Sequence, residues 1–120
     1  MKLPDRALYD RDITTYVNKL NIPYFRGVFM RDTLPQSKPK FNECGVVNLD
    51  LNKNRGTHWV AYKKRGNSVE YFDSFGNLKP PRELVDYLGR DVKIFYKDRY
   101  QNFDSNKCGH LCLEFLYKSK

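Results

Sequence analysis

Apolar and polar positions alternate with different periods along the chain, and each period predicts an element. Between Asp10 and Leu20 the residues Ile13, Tyr16, Val17 and Leu20 recur at helical spacing, with Asp10 or Asp12 available as a cap and Pro23 as a stop. Tyr24–Met30 reads as a strand, the polar, proline-bearing run Asp32–Lys40 as a loop, and Cys44–Leu51 as the next strand. His58-Trp-Val-Ala-Tyr62 and Val69-Glu-Tyr-Phe-Asp73 are rich in aromatic and β-branched residues and flank Lys63-Lys-Arg-Gly-Asn-Ser68, which predicts a β-hairpin. Pro80–Gly89 opens on proline, sets Leu84, Val85 and Leu88 on one side and stops at glycine, the pattern of a short helix. Val92–Tyr96 is a last strand. Leu111, Cys112, Phe115 and Leu116 then return to helical spacing, giving a helix over about Gly109–Tyr117 whose C-terminal end suits Lys118 and Lys120.

These elements fit one α+β domain spanning 1–120, with a central mixed sheet flanked by helices and no repeat or linker. At 40% hydrophobic and 15% aromatic residues the chain is globular rather than disordered. No stretch approaches a transmembrane helix, and Met1-Lys-Leu-Pro-Asp-Arg6 lacks the apolar core of a signal peptide, so an intracellular, reducing location is expected. Three cysteines, an odd number without Cys-x-x-Cys spacing, agree with that. Cys44 reads as a buried strand residue and Cys112 as core, with an oxidative partnership to Cys108 as the alternative.

The chemistry centres on Cys108. A thiol reacts as its thiolate, and the positive end of a helix dipole with its unpaired N–H groups favours that anion. The polar run Asn102–Asn106 breaks the periodicity, so Gln101 sits on a loop folding back toward the helix start, where its amide and the Cys108 N–H can serve a developing oxyanion. A cysteine on a short buried helix is by itself more often structural. The chain has two histidines; His110 lies two positions after Cys108 on the same helix, where side chains diverge, which makes His58 the stronger candidate for a base. With a four-residue loop, Lys64–Asn67, Asp73 stands directly opposite His58, their Cβ atoms roughly 4.5–5.5 Å apart. Sliding the turn by one full pair makes Asp73 a diagonal neighbour at roughly 7 Å, while an odd-residue loop separates the two. An acid beside the imidazole fixes its tautomer and stabilises the imidazolium, although Asp73-Ser-Phe-Gly76 also reads as an ordinary turn.

Five stretches carry a resemblance across nearly the whole chain: Pro23–Phe29, Glu43–Asn48, Gly56-Thr-His-Trp-Val-Ala61, Tyr71–Gly76, and Gln101 with six residues before Cys108-Gly109. In this order they resemble the adenovirus-type cysteine endopeptidases, the adenains, and related proteases of virus-like mobile elements of the Maverick/Polinton kind. The resemblance implies His58 as base, Asp73 as orienting acid, Gln101 as oxyanion donor and Cys108 as nucleophile. It implies Trp59 as a wall of a narrow cleft that favours Gly-containing sites. The order His, Asp, Gln, Cys and the Trp after the His are shared with ubiquitin-like-protein proteases. Adenovirus enzymes continue past the nucleophile's helix, whereas this sequence stops at Lys120, as a minimal core, a compact form or a truncated copy would.

The expected activity is therefore that of a cysteine endopeptidase acting on viral or virus-like structural precursors, in nucleus or virion if viral. A SUMO or ubiquitin-like isopeptidase and a catalytically dead relic that binds DNA are the alternatives. No cofactor is required by the residues themselves, but the resemblance implies DNA and a viral peptide as activators. A net charge of +8, gathered at Lys38–Lys40, Lys53–Arg55, Lys63–Arg65 and Lys97–Arg99, suits non-specific DNA contact as an accessory property. No zinc-finger, helix-turn-helix or RNA-binding signature accompanies it.

Overall fold

The computed structural model describes residues 3–50, 58–74, 79–89, 93–96 and 107–118, with backbone alone for 94–96. Gln101 and its loop, Leu51, Val92 and the basic groups Lys53–Arg55 and Lys97–Arg99 lie outside the described residues. The elements run α1 (Asp10–Lys19), β1 (Phe25–Met30), β2 (Asn42–Asn48), β3 (Trp59–Arg65), β4 (Ser68–Phe72), α2 (Arg82–Leu88), β5 (Lys93–Tyr96) and α3 (Cys108–Lys118). The strands form one sheet in sequence order. β1 and β2 pair in parallel, as do β4 and β5, while β2, β3 and β4 are antiparallel, so the sheet is mixed and the α+β reading holds.

Alternation along the central strands builds two cores. Val46, Trp59, Ala61 and Phe72 face Ile13 and Val17 of α1 and Cys112, Leu113 and Leu116 of α3. Val47, Val60, Tyr62, Val69 and Tyr71 face Leu84 and Leu88 of α2. Both faces are covered, which is why β2 and β3 read as nearly unbroken apolar runs. Burying each such Val or Leu contributes about 1.5–3 kcal/mol. Phe115 stacks on Phe72 at 5.2 Å between ring centroids, fixing how α3 lies on the sheet. No helix among the described residues is long and apolar enough to cross a membrane.

α1 ends before Pro23: Asn21 takes φ 54°, and the Ile22 N–H bonds the Val17 carbonyl at 3.2 Å, an αL stop that precedes the proline. At the other end Asp12 reaches back to the Tyr9 N–H at 2.8 Å, whereas Asp10 is already the first helical residue.

The hairpin differs from the expected four-residue loop. Arg65 pairs with Ser68, leaving a two-residue turn of Gly66 and Asn67 with φ +61° at Gly66, a conformation that suits glycine. Lys64 belongs to β3 because its charge finds partners while its stem is buried. Its Nζ donates to the Lys40 and Phe41 carbonyls at 2.9 and 3.2 Å. The turn is thus slid by one pair, and Asp73 is a diagonal rather than a direct neighbour of His58.

Candidate active site

Three elements meet at one end of the sheet: the start of β3, the end of β4 and the first turn of α3. His58 immediately precedes β3 and Asp73 immediately follows β4, so the diagonal register still sets both at the same rim. Their side chains close the remaining gap, with His58 Nε2 and Asp73 Oδ1 2.7 Å apart. Both are buried, Asp73 to 1% exposure, and a short contact between such groups is charge-assisted whenever the imidazole carries its proton.

Cys108 is the first residue of α3, and its thiol interacts with the His58 side chain by hydrogen bond and by charge. The Leu49 N–H bonds the His58 carbonyl, so the next pair, Asn48 and Trp59, is non-hydrogen-bonded and the Trp59 N–H points away from β2. β4 has ended at Phe72, and the Cys108 Sγ takes this N–H at 3.4 Å.

Burial pushes the Cys108 thiol up, but hydrogen bonds from His58 and from the Trp59 and Gly109 amides outweigh it and hold the pKa below the usual thiol value. Burial alone would lower His58; the bond to Asp73, then the one to Cys108, reverse this and raise it to about 9. A thiol held low beside an imidazole held high favours passage of the thiol proton to the ring. The other two cysteines behave oppositely: burial raises Cys44 to about 11 and raises Cys112 well above its ordinary value. None of the three is in a disulfide.

The structure thus brings together His58, Asp73 and Cys108, while Gln101 lies outside the described residues. Trp59 is 6% exposed, and its indole N–H is bonded to the Leu8 carbonyl at 3.0 Å, so its ring is packed against the start of α3. His110 points away, its Nε2 donating to the Pro4 carbonyl at 2.6 Å. The backbone amides of Trp59 and Gly109 are the participants sequence reasoning missed. A main-chain donor leaves no mark on residue type, and its direction follows only from the strand register.

Two crystal structures of the ASFV pS273R protease resemble this chain, with TM-scores of 0.60 and 0.58 and sequence identities of 18% and 17%. The SUMO protease Ulp1, solved with its catalytic cysteine oxidised to a sulfenic acid, matches with a TM-score of 0.58 at 14% identity. The chain shares the fold of these proteases. Each match covers 97% of this chain, which spans 58–59% of the ASFV protease and 67% of Ulp1. No protein-family model matches the chain, and no curated protein matches it in sequence.

Proposed function

We propose that this chain is a cysteine peptidase core in which Cys108 is the nucleophile. The observation that carries this reading is the relay from Asp73 through His58 to a thiol held low at the start of α3. The fold shared with Ulp1, which has a catalytic cysteine, supports it. Asp73 orients His58, and the imidazolium stabilises the Cys108 thiolate. The thiolate adds to the scissile carbonyl carbon, and the oxyanion is met by the Cys108 N–H and the Gln101 amide. Collapse expels the leaving amine, which takes a proton from His58, and leaves an acyl-enzyme. His58 then deprotonates a water that adds to the acyl carbon; the C–S bond breaks, the acid leaves, and the Cys108 thiolate and His58 imidazolium are regenerated.

The substrates we infer are structural precursors of a virus or virus-like element, cut within the chain at Gly-containing sites admitted by a narrow cleft beside Trp59. Similarity to the ASFV pS273R protease and the adenain-like spacing of Gln101 and Cys108 support this choice. A comparable fold similarity to Ulp1 favours a second reading, removal of a folded modifier through its Gly-Gly tail. Incubating the protein with Gly-Gly-containing precursor peptides and with a modifier–lysine conjugate separates the two. Cleavage of the peptides with the conjugate intact fits the first reading, and the reverse outcome fits the second. Neither being cut, at any pH from 6 to 9, would reject a peptidase.

A further inference from the structure

The segment before α1 packs directly against the site. Pro4 accepts from His110, Asp5 pairs with Lys107, and Leu8 is 4% exposed within the core that contains Trp59, Cys108 and Cys112. Residues 4–8 therefore bracket positions 107–110, the first turn of the nucleophile's helix. Arg6 bonds Asp12 at 2.8 Å and ties the segment to α1.

The contacts converge on one point. The Leu8 carbonyl holds the Trp59 indole N–H at 3.0 Å, while the Trp59 backbone N–H donates to the Cys108 Sγ at 3.4 Å. On the helix side Gly109 lies against both: a Cβ there would stand 3.2 Å from the Leu8 Cβ, and 3.3 Å from both the Leu8 Cδ1 and the Trp59 Cδ1. Such distances are tighter than ordinary packing, so the residue after the nucleophile is a glycine because Leu8 and Trp59 already fill the space. Leu8 is thus wedged between the two elements that supply the amide donors to the thiol.

We propose that Leu8 is a positioning residue, clamping Trp59 against the start of α3 so that the Trp59 amide stays aimed at the Cys108 sulfur. The inference deepens the reading of Cys108 as nucleophile and rests on it. Shortening Leu8 leaves its carbonyl in the chain but releases the wedge, and the Trp59 amide then drifts from the sulfur. An N–H bond to an ionised acceptor is worth about two neutral ones, so a partial loss is visible as thiolate chemistry before it is visible as unfolding. Among the described residues, the other titratable groups near the thiol are His58, with Asp73 behind it, Cys112 one turn on, and Lys107, Asp5 and His110 at the segment's crossing.

The test measures the rate of iodoacetamide alkylation at Cys108 from pH 5 to 10 by mass spectrometry, in otherwise native protein, with circular dichroism as the check on folding. Leu8→Ala should slow alkylation at pH 7 about tenfold and move the half-point to higher pH, and Leu8→Met, which restores the bulk, should recover the wild-type profile. Trp59→Phe, which keeps a ring but removes the donor to Leu8, should shift the profile in the same direction. Asp5→Asn removes an almost fully exposed charge and should leave the profile in place. A Leu8→Ala profile identical to wild type, or an Asp5→Asn shift as large as that of Leu8→Ala, overturns the clamp while leaving the nucleophile reading standing. A wild-type Cys108 no more reactive than Cys44 overturns both.

Discussion

Cys108 and Cys112 stand one turn apart on α3, and both are buried, yet their thiols move in opposite directions. Cys112 is buried in the apolar core, and the unfavourable charges of Cys108 and Asp73 add to the burial that keeps it protonated. Cys108 lies where the helix begins, where a strand has just ended and left an amide turned outward, and where an imidazole arrives backed by a carboxylate. Burial alone makes a cysteine inert. Burial with aimed donors favours its thiolate, because the same low dielectric that penalises an isolated charge strengthens each bond to it.

The largest expected effect comes from removing the reactive member of the pair. Cys108→Ala should lower peptidase turnover on the order of 10⁶-fold, to the residue of catalysis left by binding alone, without loss of fold by circular dichroism. His58→Ala should cost roughly 10²–10⁴-fold in kcat/KM and move the half-point of Cys108 alkylation upward, toward that of Cys44.

The pH dependence follows from the two shifts. The ion pair exists above the lowered pKa of Cys108 and below the raised pKa of His58, near 9. Activity should therefore rise with pH on the acid side as the thiolate forms. It should fall as pH passes about 9 and the imidazolium is lost, by roughly tenfold per further pH unit. A profile still rising at pH 10 would contradict the assignment. Asp73→Asn should have a smaller effect, about 10²-fold in kcat, with the alkaline limb shifted to lower pH because the carboxylate that raises His58 is gone. At the bottom of the scale, Cys112→Ala should cost about 1 kcal/mol in urea unfolding and leave the Cys108 alkylation profile unchanged.

The contrast also shows what residue patterns can and cannot convey. The helix of Leu111, Cys112, Phe115 and Leu116, the α2 stop at Gly89 and the two-sided apolar strands were readable because each is a repeat of side-chain type. The expected pairing of His58 with Asp73 survived a wrong loop length because both residues kept their side of the pleat when the turn slid by a whole pair. The loop length differs at Lys64, whose charge suggests solvent but whose ammonium is satisfied by two carbonyls from the residues just before β2. Long-range partners of that kind are invisible in a local window. Asn21, rather than Pro23, ends α1 for a related reason: an αL residue can stop a helix wherever its following amides find carbonyls. The Trp59 amide on the Cys108 sulfur is the extreme case, since it depends on strand register and on no side chain at all.

The most direct test of Cys108 as an activated nucleophile is to treat the native protein at pH 6.5 with an electrophilic peptide probe and map the adducts over all three cysteines by mass spectrometry, in wild type and in His58→Ala. Cys108 should be labelled almost to the exclusion of Cys44 and Cys112, and the labelling rate should fall by at least tenfold without His58. Equal labelling of the three thiols, or a rate at Cys108 indifferent to His58, would contradict the assignment.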